Sequence, residues 1–218
     1  MRFPALDIGI ILLKMNASSQ TRLAILGTMS DLHKQPISYD LACLQKIVAE
    51  ISPDLLCAEI TVADWEREDL SRAALEVREA LTPVIASTDI VLIPVAPTLE
   101  RYADFTPDSG WRRRIVRTFD RLLRWGQIRA DDAPTVNGPW FGAFCHTICL
   151  LTESLWTADD RAKWEKQNQE LVENIVRAVR RDSGRRVLVT VQCQRLHRLL
   201  PLLETHDDLF KIVGYQNL

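Results

Sequence analysis

Polar side chains that could do chemistry follow the first apolar run of the chain. Residues 23–26 are apolar, Gly27 ends the run, and the next six residues include Thr28, Ser30, Asp31 and His33. A short apolar run that ends in glycine is typical of a strand buried on both faces of an α/β sheet. Ligands of such sheets bind beyond the carboxyl ends of the strands, so we expect these side chains to line a ligand pocket.

Glu59 is the strongest candidate for acid–base chemistry, because it closes a second apolar run at residues 54–60. A carboxylate at the end of a buried strand needs a partner. With His33 or His197 it could act as a general base or a ligand. With Arg195 it would form a structural ion pair. An exposed Glu59 with neither role is the third interpretation.

Hydrophobic periodicity predicts the elements that position these residues. Strands are predicted at 23–26, 54–60, 90–95, 186–191 and 210–213, and helices at 39–51, 67–83, 111–125, 140–156, 158–181 and 195–203. Strands separated by single helices pair in parallel. We therefore predict one α/β domain over residues 1–218 with a mainly parallel central sheet, an N-terminal extension at 1–20 and a helical insert at 111–182. We expect 140–156 to be the most buried helix of the insert.

Composition restricts the partners and the compartment. The chain has 218 residues, 47% of them hydrophobic, which is enough for one sizeable core. A net charge of −2 gives no general attraction to nucleic acid or to anionic membranes, and no segment reaches the length of a membrane span, so neither partner is expected. Five scattered cysteines favour free thiols in the cytoplasm. The apolar core of the first twenty residues is shorter than that of a signal peptide.

Positive charge is concentrated in one segment of the chain, a basic stripe, although the net charge of the whole chain is close to zero. Six arginines lie between residues 112 and 124, on a predicted helix whose other side is apolar. A solvated helix face is the ordinary interpretation of such a stripe. Binding of a phosphate-rich partner is the alternative.

Several segments resemble those of one known superfamily, in the same order. Four segments are similar to motifs of the TraB/Tiki, ChaN and erythromycin-esterase-like superfamily. They are an apolar strand followed by Gly27-Thr28, the segment Pro53-Asp54-Leu55-Leu56-Cys57-Ala58-Glu59-Ile60, the helical segment 164–175, and the strand running into Gln192-Cys193-Gln194-Arg195. The resemblance covers about residues 23–205. It implies an α/β fold and hydrolysis of an ester or peptide bond.

The chain departs from the superfamily pattern at both Gly-x-x-His motifs. Ser30 and Arg195 stand where the resemblance implies histidines, whereas Glu59 keeps the acidic position. A serine hydroxyl is a poor metal ligand and a guanidinium stays protonated, so neither replaces an imidazole as ligand or base. We therefore expect neither a metal nor a cofactor, and we expect Arg195 to lie within bonding distance of Glu59 or Asp31.

Two functions remain open at this point. The first is a non-catalytic or degenerate member of the superfamily that binds a small anionic ligand or a partner through Ser30, Asp31, Arg195 and His197. The alternative is a hydrolase that uses Glu59 with His33 or His197 as catalytic residues.

Overall fold

A five-stranded sheet forms the centre of the computed structural model, which describes residues 20–98, 100–107 and 109–218. The strands are β1 (Thr21–Thr28), β2 (Leu55–Ala58), β3 (Val91–Pro94), β4 (Arg186–Gln192) and β5 (Phe210–Ile212). All neighbours are parallel, in the order β3-β2-β4-β1-β5. The predicted α/β fold and its parallel sheet are confirmed.

The register brings the carboxyl ends of three strands to one edge of the sheet. β4 is the central strand and pairs its Gln192 with Thr28 of β1 and its Thr190 with Ala58 of β2. The residues that directly follow β1, β2 and β4 therefore meet at this edge. Glu59 is the first residue after β2.

Helices cover both faces of the sheet. They are α1 (Leu41–Ile51), α2 (Val62–Glu66), α3 (Thr82–Ala86), α4 (Gly110–Ala130), α5 (Ala133–Val136), α6 (Pro139–Glu153), α7 (Ala158–Arg181) and α8 (Cys193–Glu204). One core packs α1, α4 and α6 against Leu26 and Leu56, and the other packs α7 and α8 against Leu23 and Val189. Within the described residues, none of the helices is long and apolar enough to span a membrane.

The helix predicted at 67–83 is wrong in its extent. Thr61 caps α2 by accepting a hydrogen bond from the Asp64 backbone N–H, so helix begins earlier and ends at Glu66. Glu68 then has a left-handed backbone, with φ of 56°, which interrupts the helix. Helix resumes as a π-helical turn at Val77–Leu81 that leads directly into α3.

The insert is helical as predicted, with α4 to α7 occupying residues 110–181. The segment expected to be its most buried helix, 140–156, is buried on one face only. Phe141, Cys145 and Cys149 are buried, whereas Trp140 is 89% exposed. Six of the fifteen residues of α6 are nevertheless buried, against four of 21 in α4 and nine of 24 in α7, so α6 has the largest buried fraction of the three long helices of the insert, as predicted. The predicted extension at 1–20 lies outside the described residues except for Gln20.

Candidate functional site

The predicted contact between Glu59 and Arg195 is present at the carboxyl edge of the sheet. Arg195 lies in the first turn of α8, and its Nε is 2.6 Å from Oε1 of Glu59. The backbone N–H of Gln192 donates to Oε2 of Glu59 at 2.6 Å. Both side chains are nearly enclosed, with 5% of Arg195 and 13% of Glu59 exposed. The short β4–α8 junction thus holds the carboxylate from two directions.

The guanidinium of Arg195 is committed to the protein on every nitrogen. Besides the Nε contact, Nη1 donates to Oδ1 of Asn168 at 2.9 Å, and Nη2 donates to Oε1 of Gln167 and to the carbonyl of Glu100, both at 3.4 Å. The guanidinium also stacks 3.9 Å from the ring centre of Trp164. Arg195 therefore acts as a buried cross-link between α7 and α8, and this geometry does not support its predicted role in ligand binding.

The ionisation of the pair reflects a balance between burial and attraction. Burial raises the pKa of Glu59, while Arg195 and the Gln192 N–H oppose this rise. Burial likewise lowers the pKa of Arg195, and Glu59 opposes it. Each group provides the main electrostatic attraction that offsets the cost of burying the charge of the other. Removal of either group would therefore leave its partner as a buried charge without an opposite charge.

His33 is not available as the predicted catalytic base. The Met29 N–H donates to its Nε2 at 3.0 Å, and its Nδ1 donates to the carbonyl of Tyr39 at 2.7 Å. Burial lowers the pKa of His33, which favours the neutral ring that this pattern requires. Both nitrogens are thus used to fix the turn after β1, and Glu59 is not among their partners.

His197 lies in a different cavity from Glu59. Two residues along a helix correspond to about 200°, so Arg195 and His197 are on opposite sides of α8. The His197 ring stacks on His146 with 4.6 Å between centres, and its Nε2 is 3.7 Å from Oε1 of Glu153. Together with Trp164 these residues line a cavity of about 360 Å³. The proximity of His197 to Arg195 in sequence therefore does not place it at the predicted site.

An open cleft of about 470 Å³ lies beyond the carboxyl ends of β1 and β4. Arg117, Arg121 and Arg124 of α4 line it, together with Arg101, and we call it the arginine cleft. The lining also includes Ser30, Asp31, Gln192 and Gln194. Two of the predicted ligand-binding residues, Ser30 and Asp31, thus lie at a pocket mouth as expected.

Helical spacing explains the arginine side of the cleft. Positions 117, 121 and 124 are separated by four and three residues, so their side chains share one face of α4. The neighbouring face is fixed to the core by Val116 and Leu123, which are at most 4% exposed. The packing of this face turns the three arginines toward the edge of the sheet.

The cleft has an excess of positive charge. Asp31 and Asp120 are its acidic members, against four arginines. Among the residues that the structure describes, no carboxylate lies within 4 Å of a guanidinium nitrogen of these arginines. Nη2 of Arg101 donates to the backbone carbonyls of Arg72 and Ala73. Guanidinium groups bind carboxylate and phosphate groups in a bidentate manner through the donors that remain available. This arrangement is suited to an anionic ligand.

Sequence reasoning missed Arg101 and Glu76. Glu76 is 3% exposed and accepts a hydrogen bond at 2.6 Å from the hydroxyl of Thr28, the last residue of β1. Its Oε2 has no hydrogen-bond partner in the described part of the chain. The signal was a single acid within the apolar run 73–77, which places a carboxyl in the core.

We expect Glu76→Gln to stabilise the protein increasingly as the pH rises. Burial raises the pKa of Glu76, so the folded state favours the neutral carboxyl. The contribution of the Glu76 carboxyl to the free energy of unfolding is fully present when the pH is below its unfolded-state pKa. This contribution is lost as the pH rises through its folded-state pKa. Glutamine keeps the acceptor for Thr28 without the charge.

Thermal unfolding at pH 4 and pH 8 measures the effect. The gain at pH 8 should be on the order of 1 kcal/mol, the size of one uncompensated buried polar group, and it should vanish at pH 4. Glu79→Gln is the matched control because Glu79 is exposed and pairs with Lys34. An equal gain in both variants, or a loss at pH 8, would contradict a raised pKa of Glu76.

Comparisons with known proteins return no relative: no family model matches the chain, and no curated protein or solved structure is significantly similar to it. The resemblance to the TraB/Tiki, ChaN and erythromycin-esterase-like superfamily stays a prediction based on short motifs.

Proposed function

We propose that this protein binds a small anionic ligand in the arginine cleft and has no catalytic acid–base pair there. The observation that carries the proposal is the convergence of Arg101, Arg117, Arg121 and Arg124 on one cleft at the carboxyl edge of the sheet. None of the described acids compensates them by a direct ion pair. Parallel sheets bind ligands at this edge.

The volume and chemistry of the cleft indicate the ligand class. A cleft of about 470 Å³ is within the usual range for sites that hold metabolite-sized molecules. Arginine forks bind planar carboxylates and phosphates, and the amides of Gln192 and Gln194 add neutral donors and acceptors. We therefore propose a ligand with at least one carboxylate or phosphate group.

The geometry gives no support to the hydrolase alternative. Glu59 bonds to Arg195 and to a backbone N–H, while His33 and His197 bond or stack elsewhere. A general base must reach the proton that it removes.

We further propose that the chain is a diverged member of the superfamily that it resembles and that it resides in the cytoplasm. Its five free thiols support that compartment.

Calorimetric titration with inorganic phosphate, pyrophosphate and citrate tests the proposal. Replacing three cleft arginines, as Arg117→Gln, Arg121→Gln and Arg124→Gln together, should weaken binding by about a hundredfold or more, since each charged hydrogen bond contributes about 1.5 to 3 kcal/mol. The matched control replaces Arg112, Arg114 and Arg129 of the same helix by glutamine. Those three do not line the cleft, so the control should bind within about threefold of the parent protein.

Two results would overturn the proposal. One is the absence of saturable binding of all three anions. The other is an equal loss in both triple variants, because that would reflect the total charge of α4 rather than a built cleft. Because all substituted arginines are at least partly exposed, thermal unfolding should show both variants folded.

A further inference from the structure

The outer face of α4 is apolar although it faces solvent. Large apolar side chains exposed by more than a third in the described residues are Val62, Val91, Trp111, Ile115, Leu122, Trp125, Ile128, Trp140, Leu150 and Leu151. Eight of these ten belong to α4 and α6, two helices that pack together where Gly126 meets Phe144. Five of the eight belong to α4, so this helix carries the largest share of the exposed apolar side chains.

Four of these side chains lie in a row along α4, which Thr118 interrupts between Ile115 and Leu122. Trp111, Ile115, Leu122 and Trp125 lie within about 80° of one another around the helix, and we call this row the α4 stripe. Their exposed fractions are 62%, 37%, 40% and 53%. A tryptophan therefore stands at each end of the stripe, with aliphatic side chains between them.

The stripe is surrounded by positive charge. α4 contains seven arginines and a single acid, Asp120. Arg112 stacks on the Trp111 ring at 5.7 Å and Arg129 on the Trp125 ring at 4.8 Å. The guanidinium groups thus lie beside the aromatic rings at both ends of the stripe.

We propose that the α4 stripe docks on the surface of an anionic lipid bilayer. A helix that lies in a membrane interface buries tryptophan and aliphatic side chains at the boundary between headgroups and acyl chains. Arginines beside such a row can extend to the phosphates of the headgroups. Tryptophan is the residue most suited to this boundary because its ring is apolar and its N–H is polar.

Charge and side-chain type favour a bilayer over other partners. Nucleic acid would attract the arginines and could stack on tryptophan, but it offers no environment for Ile115 and Leu122. A second copy of the chain would bring two α4 helices of the same strong positive charge together. An anionic bilayer offers an apolar interior to the stripe and phosphate groups to its arginines.

The proposal concerns a protein lying on the membrane and not spanning it. It departs from the expectation of no membrane partner, which rested on net charge and segment length. The net charge of −2 averages over the chain, whereas the charge of α4 is local and falls on one surface. The stripe is separate from the arginine cleft, so this proposal stands or fails independently of the proposed function.

Flotation with lipid vesicles tests the proposal. We expect the protein to bind vesicles with about 30% phosphatidylserine in 0.1 M salt and to bind pure phosphatidylcholine at least tenfold more weakly. Bound protein should show a blue shift of tryptophan fluorescence. Raising the salt to 0.5 M should release most of the protein because screening shortens the range of the attraction to about 4 Å.

Two sets of variants separate the apolar and the charged contributions. Trp111→Ser with Trp125→Ser should reduce vesicle binding at least tenfold, as expected for two exposed rings that enter the interface. Val62→Ser is the matched control, since Val62 is 53% exposed but lies on α2. Replacing Arg112, Arg114 and Arg129 by glutamine should lower binding about fivefold per arginine.

Several outcomes would overturn the proposal. They are equal binding to neutral and anionic vesicles, unchanged binding of the double tryptophan variant, or loss of binding in the Val62→Ser control as well. If light scattering shows a dimer that dissociates when the two tryptophans are replaced, the stripe binds a second copy of the chain instead. Binding of a labelled oligonucleotide that requires the tryptophans, without vesicle binding, would assign it to nucleic acid.

Discussion

We expect the Arg195→Ala variant to lose about 3 to 5 kcal/mol of free energy of unfolding, the usual cost of breaking a buried ion pair from one side. Alanine would leave the Glu59 carboxylate with only the Gln192 N–H as donor. It would also remove the donors to Asn168 and Gln167 and the guanidinium that covers Trp164. Urea unfolding at pH 7 measures the loss.

Two comparisons isolate the ion pair from the general effect of losing an arginine. Arg181→Ala removes an exposed arginine that pairs with Asp182, so its cost should stay below about 1 kcal/mol. Combining Glu59→Gln with Arg195→Met removes both charges and should recover part of the loss, because no isolated charge remains. If Arg195→Ala unfolds at the same urea concentration as the parent protein, the cross-link does not stabilise the fold.

The sheet could be predicted from sequence because its information is local. Segments such as 187–191 are short, apolar and rich in valine, and strands of this kind are typical of parallel sheets that are buried on both faces. The helix at 67–83 could not be predicted correctly because its boundary depends on a cap at Thr61 and on a left-handed residue at Glu68. Neither feature changes the hydrophobic periodicity.

The positions of the candidate residues were predictable where they depended on strand ends. Ser30, Glu59 and Arg195 each follow a strand, and parallel pairing alone brings strand ends to one edge. The histidines were assigned by sequence proximity, which carries no information on side-chain direction. His33 bonds back to its own turn, and His197 is on the opposite side of α8 from Arg195.

The arginine stripe shows that one helix can present more than one surface. A solvated face was the ordinary interpretation of the six arginines, and five of the six are exposed. Arg117, Arg121 and Arg124 line the cleft, while Arg112 stacks on a tryptophan of the exposed row. Distinguishing these surfaces requires the position of α4 against the sheet, which the sequence of the helix does not specify.

Trp164→Ala should cost about 3 to 5 kcal/mol of free energy of unfolding, as expected for truncating a large buried aromatic side chain. The ring is 2% exposed and lies between 5.2 and 6.1 Å from the ring centres of Tyr102, Phe105 and Trp156. These neighbours come from a short turn before α4 and from the turn between α6 and α7. Trp164 therefore joins α7 to two other segments.

The conservative variant Trp164→Phe separates ring packing from polar contacts. The indole Nε1 has no hydrogen-bond partner among the described residues, so phenylalanine loses volume but no hydrogen bond. Its cost should be about half that of alanine or less, since a smaller cavity remains. Trp111→Ala is the control, since Trp111 is 62% exposed and its loss should change stability by less than about 0.5 kcal/mol.

A double-mutant cycle tests whether Trp164 and Arg195 act as one unit. The guanidinium lies 3.9 Å from the ring centre, so each substitution already removes the contact that the other would remove. The double variant should therefore lose less stability than the sum of the single losses, by about 0.5 to 3 kcal/mol. Strict additivity would contradict the coupling, because it would mean that ring and guanidinium stabilise the fold independently although they are in contact.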